Sequence, residues 1–244
     1  DQPRSRGLGD VYKRQARDYA WEYLLENGAL KAVVEAIAYM EDTGCFNAGS
    51  GSVLNLVGVR EMDAGLMDGS RGVAGAVACV KYPKNPIRLA YTVLEKTDHV
   101  LVVGDGADDL ARRTGLEGIG ELSSEVVERY RGVLRRYREG GWSYFRKNLR
   151  IALETGLMDT IGAVALDSSG CLVAGVSTGG VWLKLPGRVG DSAIPGAGFY
   201  ADKYVAIAAS GIGEVIIQAL PGIRISQLIQ QGYSLRHSME LVLD

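Results

Sequence analysis

The chain has 244 residues, 47% of them apolar, with 27 basic against 29 acidic side chains and a net charge of −2. That length and apolar share allow a sizeable core in one large or two small domains, and the near-balanced charge excludes a general attraction to nucleic acid or anionic membrane. No apolar stretch approaches the ~18 residues of a spanning helix, and three cysteines without metal spacing, Cys45, Cys79 and Cys171, point to a reducing, cytoplasmic compartment.

Residues 1–15 carry Arg4, Arg6, Lys13 and Arg14 and no apolar period. They are expected as a disordered or foreign arm, and they lack the apolar centre of a signal peptide. A single domain is expected over 16–244. Residues 16–43 read as helix, broken at Asn27-Gly28, with Leu30, Val33, Val34, Ile37 and Met40 on one face. Phe46–Ser52 is a Gly-rich turn that lacks the Gly-Lys-Ser/Thr ending of a phosphate cradle. Val53–Leu56 and Val59–Met62 read as a hairpin, and residues 72–80 as a small-residue strand. Pro86–Lys96 has helical spacing with Pro in its first turn. Val100–Val103 reads as a short buried strand. Gly104-Asp105-Gly106 fails the dinucleotide fingerprint, because Asp109 stands where the third glycine belongs. Asp108–Arg113 reads as a short helix.

Residues 121–158 change character and are expected as a mobile linker. From Glu128 to Arg150 there are eight basic and two acidic residues, with Tyr130, Tyr137, Trp142, Tyr144 and Phe145 interleaved. That mixture suits single-stranded nucleic acid, but a solvated helix and linker preceding the cut site is the favoured reading, since a charge run alone is weak evidence of binding. An apolar, strand-like run then opens at Thr160. If the peptide bond before it were cut, Thr160 would carry a hydroxyl nucleophile and, in its own α-amine, a base that titrates near ~8. No histidine is needed, and the chain has only His99 and His237. Ile161–Leu166 and Cys171–Val176 read as a hairpin turning at Ser168-Ser169-Gly170. Val205–Ala209 reads as a strand, Gly211–Ala219 as a helix start, and residues 223–243 as helical.

Motifs along the chain carry a resemblance. They are Phe46-Asn47-Ala48-Gly49, Glu61-Met62-Asp63-Ala64, Met67-Asp68-Gly69, Leu94-Glu95-Lys96-Thr97, Ser177-Thr178-Gly179-Gly180, Leu185–Ser192, Ile194–Asp202 and Ser210–Glu214. In this order they resemble the plant-type asparaginase and isoaspartyl peptidase family of N-terminal nucleophile hydrolases, over roughly residues 16–243. The resemblance implies an α+β fold, an αββα four-layer sandwich. It implies self-cleavage between Asp159 and Thr160, and hydrolysis of L-asparagine or β-aspartyl dipeptides. Thr160 would be the nucleophile, and Thr178 would tune its hydroxyl. Arg188 would grip the substrate α-carboxylate by its two-point fork, and Asp191 would pair with the α-ammonium. Ser210 and the Gly211 N–H would form an oxyanion hole. Ile212 would line the site, Gly213 would keep its wall thin, and Asn47 would stand at its edge, with an ordinary turn asparagine as the equal alternative for that residue. The resemblance further implies a dimer of cleaved protomers and no catalytic cofactor. A structural sodium is expected on backbone carbonyls of the 41–50 loop. Against that family the chain looks shortened at both ends. Glycosylasparaginase-like or threonine-aspartase-like hydrolysis shares these residues.

Two competitors come from other classes. Gly175-Val176-Ser177-Thr178-Gly179 fits the nucleophile-elbow pattern, with Asp191 or Asp202 and then His237 in the order of a hydrolase triad. That pattern needs a helix after the serine, and Gly179-Gly180 and Pro186-Gly187 are poor helix formers. A chain that binds without turnover, as an inactive fragment or basic module, is the non-enzyme reading.

Overall fold

The computed structural model describes residues 3–140 and 160–243, with side chains from residue 8 onward. The first helix, α1, runs Pro3–Asp42 and bends at Gly28, where φ is 83° and ψ is 178°. The chain restarts there because the N–H of Ala29 finds a side-chain acceptor, Asp167 Oδ2 at 3.1 Å, from a distant turn. Beyond the bend Val33, Val34, Ile37 and Met40 are buried, as their spacing predicts. The expected arm departs from the prediction. It is helical from Pro3, and Tyr12 packs on the core. Good helix formers such as Arg, Lys and Gln extend a helix already anchored by packing, without an apolar period of their own.

Among the described residues seven strands follow: β1 Met62–Asp68, β2 Val73–Val80, β3 Leu101–Val103, β4 Ile161–Leu166, β5 Leu172–Thr178, β6 Phe199–Ala201 and β7 Ala206–Ala208. The first five form one sheet in the order β3-β2-β1-β5-β4, antiparallel except for β2 with β3, and β6-β7 form a second. Helices α2 Pro86–Lys96, α3 Gly104–Arg113 and α4 Ser124–Glu139 lie between β2 and β4 in the chain. Helices α5 Gly213–Ala219, α6 Pro221–Gln230 and α7 Leu235–Leu243 end it.

Side chains alternate across a strand, and here the alternation stacks four layers. On one face of the large sheet, Gly175 leaves room for Val33 and Ile37 of α1. On the other face, the neighbouring position on β1 is Gly65, and a Cβ there would lie 2.1 Å from the Phe199 ring of β6. Phe199 and Ala201 pack with Ala76, Ala174 and Val176 between the two sheets. Helix α6 backs β6, with Gly222 against Tyr200. The order is helix, sheet, sheet, helix, the α+β sandwich expected.

Three local expectations differ. The 53–62 hairpin is reduced to one bridge, Leu54 to Arg60. Asn55 Oδ1 accepts from the N–H groups of Val57 and Val59, at 3.1 and 2.9 Å, so the side chain takes donors that a ladder would use. The strand at 100–103 is an edge strand rather than a buried one, with Leu101 and Val103 exposed. Part of the stretch expected as linker is α4, whose Val133 and Tyr137 pack with Val53, Leu54, Trp182 and Leu183. The rest of that stretch, 141–158, lies outside the described residues. No helix among the described residues is long and apolar enough to cross a membrane.

Candidate active site

Thr160 stands immediately before β4 and Thr178 ends the adjacent strand β5. Ile161 pairs with Ser177, so one step further brings the two threonines side by side. The Thr160 hydroxyl donates to Thr178 Oγ1 at 3.3 Å, and Thr178 Oγ1 also accepts from the Gly180 N–H at 3.0 Å. Thr178 is therefore held from behind, and it holds Thr160 in turn. Asp159 lies outside the described residues.

The two threonines line a cleft with Gly180, Val181, Arg188, Asp191, Gly211 and Gly213. Its free volume is about 10 Å³, room for about one water. Arg188 donates from Nε and Nη2 to the two carboxylate oxygens of Glu214, each at 2.9 Å. This fork contact orients the guanidinium and leaves Nη1 without a hydrogen bond among the described residues. Asp191 is 5% exposed, and its Oδ2 is buried without a hydrogen-bond partner among those residues. Burial pushes its carboxyl up to about 6; Arg188 pulls it back, while Asp63 and Glu214 push it further. A buried carboxylate oxygen left unpaired is a seat for a cation.

The loop after β5 closes the cleft's other side. Asn47 does not line the cleft. Its Nδ2 donates to the Gly180 carbonyl at 2.6 Å, its Oδ1 accepts from Val53 N at 3.0 Å, and its carbonyl accepts from Gly179 N at 2.8 Å. Both ends of its amide are used, so it fixes the 179–180 turn. Gly213 is buried, and a Cβ on it would sit 2.8 Å from Arg188 Nη2 and 2.9 Å from Asp191 Oδ1, so the backbone there approaches both charged groups too closely for a side chain. Gly211 borders the cleft, whereas Ser210 is exposed and outside its lining, and Ile212 leads into α5. The structure thus gathers Thr160, Thr178, Arg188, Asp191, Gly211 and Gly213, and leaves Ser210, Ile212 and Asn47 around them.

The elbow alternative does not assemble. Ser177 is fully buried inside β5, and alternation turns it to the α1 face, away from Thr178. His237 lies exposed on α7, 3.5 Å from Glu240, and Asp202 is engaged by Ser226 and the β6–β7 turn. Sequence reasoning missed Gly180, Val181 and Glu214 as participants. It also gave no role to Glu61, Asp63 and Lys184, whose available signal was charged side chains among residues that belong to a core.

A family model described as Asparaginase matches residues 12–244. A plant-type L-asparaginase of Pyrobaculum calidifontis is 48% identical over 224 residues, 91% of this chain and 73% of that protein. An isoaspartyl peptidase of Escherichia coli is 41% identical over 224 residues, 90% of this chain and 70% of that protein. A Xenopus laevis isoaspartyl peptidase/L-asparaginase is 40% identical over 216 residues, 88% of this chain and 67% of its own length.

Proposed function

Because the chain belongs to the asparaginase family, we propose that it hydrolyses the side-chain amide of L-asparagine and the isopeptide bond of β-aspartyl dipeptides, with Thr160 as nucleophile. The observation that carries this reading is the Thr160–Thr178 hydroxyl contact at 3.3 Å, in one cleft with a cation and a buried carboxylate. The chemistry follows from those groups. Cleavage of the Asp159–Thr160 bond, by N-to-O acyl shift and hydrolysis of the resulting ester, frees the Thr160 α-amine. That amine takes the proton of the Thr160 hydroxyl as the oxygen attacks the substrate carbonyl. The tetrahedral oxyanion meets the Gly211 N–H. Ammonia or an amino acid leaves with the proton, and water then hydrolyses the β-aspartyl ester on Thr160. Arg188, held by Glu214, offers its remaining N–H groups to the α-carboxylate, and Asp191 takes the α-ammonium. An L-aspartyl group is read by two opposite charges at once.

The test is the purified chain incubated with L-asparagine and with β-aspartyl-leucine, followed by ammonia and amino acid release and by intact mass. Two pieces meeting at Thr160, activity rising with pH through the amine titration near ~8, and a Thr160→Ala chain that stays whole and inert are the expected results. A chain that stays whole yet hydrolyses asparagine refutes the mechanism.

The same reading extends to a dimer of cleaved protomers in the cytoplasm, checked by sedimentation. It also includes a structural sodium in the 41–50 loop. The carbonyl oxygens of Gly44 and Phe46 converge on Gly51, where a Cβ would meet them at 2.6 and 2.2 Å, and hard oxygen donors of this kind suit such a cation. Its contribution is to hold the loop, and with it Asn47.

A further inference from the structure

We infer that Glu61 and Asp63 are positioning residues that set the two charge readers of the cleft separately, Glu61 through Arg188 and Asp63 through Asp191. The inference rests on the head-group reading proposed above. Glu61 precedes β1 and Asp63 lies within it, two positions on and therefore on the same face. Asp63 pairs across the ladder with Thr178, so its side chain turns to the cleft side of the sheet. It is fully buried. One carboxylate oxygen accepts from Cys79 N at 2.9 Å and the other from Gly190 N at 3.3 Å. Glu61 is 6% exposed, and its Oε2 accepts from Gly187 N at 3.0 Å. Gly187 and Gly190 are the residues immediately before Arg188 and Asp191. Each carboxylate thus fastens the backbone one residue ahead of one reader.

The sheet is altered locally to make this possible. Between Met62–Val80 and Ala64–Val77 the register shifts by one residue on β2. Cys79 sits in that bulge at φ 54°, a left-handed conformation a non-glycine residue adopts at a cost. The bulge turns the Cys79 N–H onto the Asp63 carboxylate. Lys184, 2% exposed, donates from Nζ to the Glu61 carbonyl at 2.8 Å, which holds the backbone at Glu61 as well. A fully buried carboxylate with both oxygens on backbone donors, one from the sheet and one from the loop, is a strut between them.

The test uses ligands that each lack one charge. L-aspartate presents both charges, succinate lacks the α-ammonium, and β-alanine lacks the α-carboxylate. Dissociation constants for the three are measured by calorimetry in the parent, Asp63→Asn, Glu61→Leu and Glu61→Gln, with Tm recorded for each. Asn can satisfy only one of the two N–H groups on Asp63, and Leu neither accepts nor donates. Asp63→Asn is expected to cut the preference for L-aspartate over succinate about tenfold, and Glu61→Leu the preference over β-alanine by a similar factor. Each should leave the other preference near the parental value. Glu61→Gln keeps one acceptor for Gly187 and restores most of its ratio. If Glu61→Leu does not fold, Glu61→Asp, one methylene short of Gly187, takes its place. Folded variants that weaken all three ligands equally, or leave both ratios unchanged, overturn the inference. A parent that binds none of the three overturns the head-group reading and this inference together. A parent that binds L-aspartate with these ratios but releases no ammonia from L-asparagine sinks only the catalytic reading.

Discussion

Asp191 should lower the stability of the empty protein for the sake of its substrate, and the size of that effect follows from its surroundings. The side chain is 5% exposed with one oxygen unpaired, and its carboxyl is raised from 3.8 to about 6. A folded pKa above the unfolded one means that the folded state holds the proton more tightly. This contribution to stability is fully present below 3.8 and is lost as pH rises through about 6. The full loss corresponds to about 3 kcal/mol, from 1.36 kcal/mol per pKa unit. About 2 kcal/mol of it falls between pH 4.5 and 7.5. Asp191→Asn has no such titration. Urea unfolding of both chains across that range should therefore give a difference in unfolding free energy that moves about 2 kcal/mol in favour of Asn as pH rises. Activity should run the other way. The parent needs the ionised carboxylate for the α-ammonium as well as the free amine, so kcat/KM, falling about tenfold per pH unit below ~8, should steepen to about a hundredfold per unit below about 6, and Asp191→Asn should lose the preference for an α-ammonium. A stability difference that stays flat from pH 4.5 to 7.5 would refute the argument, because it would mean that Asp191 is solvated or already paired in the empty cleft.

Other expectations concern the frame. Glu41 is fully buried with its carboxyl raised to about 8, chiefly by burial, against the opposing pull of Ser177, the Ile87 N–H and Asn85. Its contribution is likewise lost as pH rises from 4.5 through about 8, so Glu41→Gln should gain on the parent with pH and level off above that value; parallel unfolding curves at pH 6 and 9 would rule this out. Gly65→Ala places a methyl 2.1 Å from the Phe199 ring and should cost about 1–3 kcal/mol, with part recovered by adding Phe199→Leu. An unchanged urea midpoint would mean that the two sheets do not stack there. Asp167→Ala removes the acceptor for Ala29 N and should cost about 1 kcal/mol, seen as faster amide exchange at Ala29; unaltered exchange would show that the bend at Gly28 is capped otherwise.

Much of the site could be read from the chain because its parts are close in sequence or carried by distinctive local patterns. The β4–β5 hairpin is signalled by two apolar runs around Ser168-Ser169-Gly170, and its antiparallel register by itself puts Thr160 beside Thr178. Arg188, Asp191 and Gly213 were recognisable from a collinear resemblance, and Val33, Val34, Ile37 and Met40 from helical spacing. What stayed hidden depends on which groups meet across long separations. Glu214 is 26 residues from Arg188 and occupies half of its fork. Asp63 reaches Gly190 over 127 residues. In sequence Asn47 reads equally as a pocket-edge residue or a turn asparagine, and its amide contacts to Gly180 and Val53 become visible only in the fold. The 53–62 hairpin fails because one asparagine outcompetes a ladder, and Leu101–Val103 is exposed because it fell at the end of the sheet order rather than inside it. Periodicity and turn chemistry are properties of neighbours along the chain, so the sequence determined the elements and the nucleophile's strand. Strand order, burial of charge and the partner of each carboxylate are properties of neighbours in space, and only the tertiary structure decided them.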